Sequence, residues 1–193
     1  MRYWRRDGVT MVEMLITLSV FVIVGTLLLS ILVSNTGLSY KQSAKVTQGV
    51  GVNDVISSIA TNIKQASSVA TGYPENQPSY TTDGSNLVLE LPAVDSSGDS
   101  ISGAFDYAIY YRDGDKIRFK VFPSADPKSF RFNEDRILTF NATSLSFQYF
   151  NELGAEVTPV SAVKVKVTVT LTQNIGTGDQ TDTASAETEL RND

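Results

Sequence analysis

An α+β fold is the class this sequence predicts, with one long helix preceding a run of antiparallel strands. Three observations predict it. Residues Met14–Val33 form an uncharged apolar stretch. Apolar residues then recur at helical spacing at Val52, Val55, Ile56, Ile59, Ile63 and Ala66, and from about residue 86 the period becomes two. With 193 residues, 41% of them apolar, the chain can bury one modest core.

The first eight residues are basic, with Arg2, Arg5 and Arg6 set against Asp7, whereas the whole chain carries 16 Lys+Arg against 21 Asp+Glu. The two ends therefore prefer opposite sides of a membrane, because short Arg-rich segments resist translocation. As a helix rising about 1.5 Å per residue, Met14–Val33 covers the roughly 30 Å hydrocarbon core. An ordinary secretory leader has a shorter apolar run and a small-x-small cut site, which Ser34-Asn35-Thr36 does not supply. Glu13 sits at the edge of the run, where a carboxylate costs free energy unless it has a partner.

Beyond Val33 the helix is expected to become amphipathic and to cover a sheet with its apolar stripe. Gly49 and Gly51 each weaken a helix by about 1 kcal/mol relative to alanine, so a bend or break is expected near them, and Gly72-Tyr73-Pro74 is expected to end the helix. Strands follow at Asn86–Leu91, Asp106–Arg112, Lys116–Phe122, Ile137–Phe140, Leu145–Phe150, Val163–Thr172 and about Thr183–Arg191. Asp113-Gly114-Asp115 between two alternating runs signals a hairpin. The run V-K-V-K-V-T-V-T-L-T over Val163–Thr172 alternates throughout, so it is half buried.

Arg5 to Leu18, R-R-D-G-V-T-M-V-E-M-L-I-T-L, resembles the type IV prepilin signal: a basic leader ending in glycine, then a glutamate at the fifth position of the trimmed chain. The resemblance implies a pilin fold, cleavage by a prepilin peptidase between Gly8 and Val9, and methylation of the freed Val9 amine. It also implies that Glu13 pairs with the N-terminal amine of a neighbouring subunit and sets the stagger between helices. The local alternative is that Glu13 favours its own helix N-terminus through the macrodipole. Many main pilins begin with phenylalanine and carry a proline in the membrane helix. Here the trimmed chain begins at Val9 and no proline precedes Pro74, which weakens a main-subunit role.

Asn62-Ile63-Lys64-Gln65-Ala66, Leu145–Phe150 followed by Gly154, and Glu189-Leu190-Arg191-Asn192 are similar to the larger minor pilins and the J-type pseudopilins of type II secretion. The implied organisation is a cleaved leader at 1–8, an assembly helix at 9–35, an amphipathic helix at 36–72 and a β-rich domain at 73–193. The implied partners are other pilin subunits, the prepilin peptidase, the inner-membrane assembly platform and membrane lipid. The implied location is the cytoplasmic membrane before assembly and the cell surface afterwards. The alternatives are a displayed binding module or adhesin, a DNA-uptake pilin, an unprocessed lectin-like anchor and an anchored enzyme.

With no histidine and no cysteine, the commonest general base and the thiolate nucleophiles and metal ligands are excluded, so no catalytic residues are expected. Lys116, Arg118 and Lys120, with Lys128 and Arg131, interleave with Phe119, Phe122, Phe130 and Phe132. That pattern can grip a nucleic-acid backbone, but a solvated sheet face over an aromatic core fits an acidic domain better, so nucleic acid is not an expected partner. Asp95-Ser96-Ser97-Gly98-Asp99 and Asp113-Gly114-Asp115 offer calcium-type oxygens without the spacing of an EF-hand; they read as turns, and no cofactor or metal is expected. Asn141-Ala142-Thr143 matches a glycosylation acceptor.

Overall fold

The structure, a computed structural model, describes residues 10–73, 80–174 and 178–191, with the backbone alone for 37–50. The chain divides into two compact units, Met1–Ala44 and Lys45–Asp193. Helix α1 covers Met11–Gln65, and its hydrogen bonding continues through Gly49 and Gly51. The expected break is therefore absent: two isolated glycines cost less than the surrounding helical bonds supply.

Helix α1 stops seven residues before Gly72, and the cause is competition for its backbone. Ser67 N–H donates to the Glu90 carbonyl at 2.9 Å, Ser68–Val69 form strand β1, and Arg191 N–H reaches the Ala66 carbonyl at 3.0 Å. A sheet edge thus satisfies groups that another helical turn would have used.

In the second unit the described residues form two antiparallel sheets. The first has the order β1-β2-β3-β4-β5, with β2 at Leu87–Val94, β3 at Ser100–Asp113, β4 at Lys116–Phe122 and β5 at Glu134–Thr139. The second has the order β6-β7-β8, at Ala142–Phe150, Lys164–Asn174 and Asp179–Glu189. Gly114, at φ 61°, takes the first loop position of the β3–β4 hairpin, where a two-residue turn needs left-handed backbone. The switch between sheets falls at Asn141, the one described non-glycine residue with positive φ (60°). Asparagine tolerates this conformation better than most residues, and the exposed Asn141 of the glycosylation motif is that corner.

One core joins both sheets to the helix. Val52, Val55, Ile56, Ile59, Ile63 and Ala66 are all buried, against Leu87, Leu89 and Leu91 of β2, Phe119 and Val121 of β4, Phe147 and Tyr149 of β6 and Val165–Leu171 of β7. The alternation of β7 places its valines inward and Lys164, Lys166, Thr168, Thr170 and Thr172 outward. The outer hydroxyls meet across strands, Thr170 with Thr183 at 3.0 Å and Thr172 with Thr181 at 2.9 Å. On the edge strand β8 the inward positions are less apolar: Asp182 has one carboxylate oxygen, Oδ2, buried with no hydrogen-bond partner among the described residues.

Tyr110 of β3 is fully buried and ties the helix to the sheet, since Asn62 donates its amide to the Tyr110 hydroxyl. Burial is the main reason that this phenol's pKa is raised, so it stays protonated. Tyr110→Phe leaves the Asn62 amide without its acceptor and is expected to cost about 1 kcal/mol, a fall of roughly 2–4 °C in Tm by thermal unfolding of the detergent-solubilised chain.

Candidate functional site

The sequence-predicted site lies at the start of α1. Gly8 and Val9 fall outside the described residues, so the cut and methylation positions carry no structural description. Glu13 is described, and it occupies the third helical position behind the N-cap residue Thr10. Its Oε2 accepts from the Thr10 N–H at 2.9 Å and from the Thr10 hydroxyl at 3.0 Å. The Thr10 Oγ1 in turn accepts from the Glu13 N–H at 3.3 Å.

This reciprocal arrangement is a capping box, and it satisfies donors that the first helical turn leaves without partners. The local reading of Glu13 is thus what the single chain displays, in the form of direct hydrogen bonds as well as the macrodipole. Thr10 was not singled out from the sequence, although Thr10-Met11-Val12-Glu13 ahead of an apolar run is the signature of this box.

Over Met11–Thr36 the helix is long and apolar enough to cross a membrane, and its side chains are unburied within the structure. Phe21 is 77% exposed and Leu29 65%. Such a surface is unfavourable in water and needs lipid or another helix against it. The hydroxyls within the span bond to the helix's own carbonyls: Thr17 to Glu13 O at 2.6 Å, Ser19 to Leu15 O at 2.8 Å and Thr26 to Ile23 O at 2.8 Å. These three hydroxyls are thereby satisfied locally, as a hydrocarbon surrounding requires.

The basic strand β4 offers little to a phosphate backbone. Arg118 bonds Asp135 at 2.8 Å and approaches Asp113 at 3.4 Å, while Lys120 reaches the other Asp135 oxygen at 3.3 Å. The hydrogen bond from Arg118, helped by Lys120, holds the Asp135 carboxyl below its ordinary pKa. Lys116 lies 5.8 Å from the Phe140 ring centroid, and Arg131 is paired with Asp106 at 3.3 Å. Of the interleaved aromatics Phe119 is buried, but Phe130 and Phe132 are 60% and 81% exposed, so the expectation of an aromatic core under this strand holds only in part.

Both aspartate clusters are built as turns. Asp95 Oδ1 accepts from the backbone N–H groups of Ser97 at 2.8 Å and Asp99 at 3.1 Å, and Asp113-Gly114-Asp115 is the hairpin turn.

Sequence reading passed over Asp106, which is fully buried in the middle of β3. Its Oδ1 accepts from Ser124 N–H at 2.8 Å, and its Oδ2 from the Ser129 hydroxyl at 2.8 Å and from Arg131. One carboxylate therefore pins the connection between β4 and β5 at three points. Its signal was a charge on the inward parity of an otherwise apolar strand, in line with Ala108 and Tyr110.

Neither a scan of protein-family models nor a search of curated proteins returns a match for this chain.

Proposed function

We propose that this chain is a subunit of a type IV pilin-like filament, a minor pilin or pseudopilin, inserted in the cytoplasmic membrane, trimmed after Gly8 and assembled through its N-terminal helix. The observation that carries the reading is the placement of Glu13. A carboxylate stands at the head of an apolar, uncovered helix with, among the described residues, Thr10 to hold it. A free amine at Val9, four residues before Glu13, gives that charge a cationic partner on an adjacent helix. The β-rich unit then faces away from the membrane. Its paired cations give little support to the DNA-uptake version of this role.

Mass spectrometry of the N-terminus of the chain purified from its own cells is the test. The expected product begins at Val9 and carries a methyl group on its amine. A functioning chain that keeps Met1–Gly8 would instead be a fixed anchor bearing a displayed domain, and the filament reading would fail.

A further inference from the structure

The outer face of the first sheet, turned away from the main core, carries a row of aromatic rings. Tyr73 stacks on Phe122 with centroids 4.4 Å apart and meets Tyr107 edge-on at 5.5 Å. Tyr80 continues the row, 6.2 Å from Phe122 and 5.3 Å from Tyr111. Beneath them lies a small second cluster of Ala70, Val88 and Ile109. The two ends of the row differ in charge. At one end Lys120 places its ammonium 5.6 Å from the Tyr80 centroid and 5.8 Å from that of Tyr111, so the protein fills that end with its own cation.

At the other end the rings border an open cavity of about 380 Å³, lined by Tyr73, Phe105, Tyr107 and Phe122 together with Ser124 and Asp126. This volume falls in the roughly 300–1,000 Å³ range of small-molecule sites. No lysine or arginine is among its described lining residues, and the acidic Asp126 is one of them. Glu90, the cross-strand neighbour of Tyr107, adds a second negative charge close enough to help raise that phenol's pKa, after burial. Ser124, in the wall of the cavity, has its backbone N–H held by the buried Asp106 at 2.8 Å.

We propose that this cavity receives a quaternary ammonium group of the choline type. Ring faces attract such a cation through their quadrupoles, and methyl groups spread its charge so that little hydration is lost. Asp126 on the lining, with Glu90 beside Tyr107 just outside it, favours a cation over an anion. Lys120 at the far end shows, within the same ring row, that this face holds positive charge. The inference does not depend on filament assembly.

The test is a titration of the full chain, in a polyoxyethylene detergent and with tyrosine and phenylalanine rings isotope-labelled, with choline chloride at constant ionic strength. Ring resonances of Phe105 and Tyr107 are expected to shift with a midpoint of roughly 1–10 mM. Phe105→Ala and Asp126→Asn are each expected to raise the midpoint about fivefold or more. Lys120→Ala, at the occupied end, is expected to leave it within about twofold. The uncharged isostere 3,3-dimethylbutan-1-ol is expected to leave these rings unshifted. No shift with choline up to about 100 mM, or equal binding of the isostere, overturns the proposal, as does a site filled by glucose but not by choline. Phosphocholine is expected to bind more weakly than choline, because its phosphate meets the same negative charge; tighter binding would overturn the assignment of a site for a free cation.

Discussion

Asp106→Ala is expected to lower the stability of the β-rich unit by about 3 kcal/mol, the low end for breaking a buried ion pair, because Arg131 can turn to water. The Arg131 side chain is 27% exposed, whereas Asp106 is sealed, so the removed carboxylate leaves the Ser124 N–H without its acceptor and the Ser129 hydroxyl with the longer contact to the Val94 carbonyl at 3.5 Å. For a unit of this size the shift corresponds to a fall of roughly 6–12 °C in Tm, followed by circular dichroism of the detergent-solubilised chain. Asp106→Asn retains an acceptor for Ser124 and is expected to lose less. A loss under about 0.5 kcal/mol for the alanine variant would mean that the 123–131 connection is held by something other than this carboxylate.

Glu13→Ala is expected to leave membrane insertion and leader cleavage intact while cutting incorporation into filaments by more than about tenfold. The capping box makes a sharper comparison possible. Glu13→Gln keeps an oxygen that accepts from Thr10 N–H but removes the charge, so it is expected to fail as the alanine variant does. Thr10→Ala removes the side-chain hydrogen bonds and keeps the charge, so it is expected to assemble. Immunoblots of sheared filaments against total membrane protein separate these outcomes. Normal incorporation of Glu13→Gln would reduce Glu13 to a helix cap and remove the basis for inter-subunit pairing.

Where local pattern decides structure, the sequence was readable. Strand Lys116–Phe122 was placed residue for residue, because Asp113-Gly114-Asp115 fixes one end and strict alternation the rest. The apolar stripe from Val52 to Ala66 is buried throughout, as its spacing demanded. Where distant groups decide, local reading stopped short. The helix ends at Gln65 because Glu90 and Arg191, far along the chain, take over the backbone bonding. Strand β2 runs through Pro92 to Val94 and strand β5 begins at Glu134, three residues before its expected start, since both are fixed by pairing with neighbours. Two sheets in place of one continuous run follow from the backbone at Asn141, a conformation that composition does not reveal. At the candidate site Glu13 was found because a charge beside an apolar run stands out. Thr10 and Asp106 were missed because their roles lie in whom they bond.

The inward carboxylate of Asp182 has a further consequence for how β8 finds its place. With Leu171 opposite Asp182 and Ala186 opposite Val167, the strand presents Gln180, one acid, two alanines and Thr188 to the interior. Sliding by one position would turn Asp179, Thr181, Thr183, Ser185, Glu187 and Glu189 inward together, exchanging one tolerated acid for three. A single misfit on the correct alignment is therefore outweighed by a larger one on every odd-numbered slip, so a weakly apolar strand docks in one phase. The same charge makes its outer rim a poor template for strands from crowded neighbours.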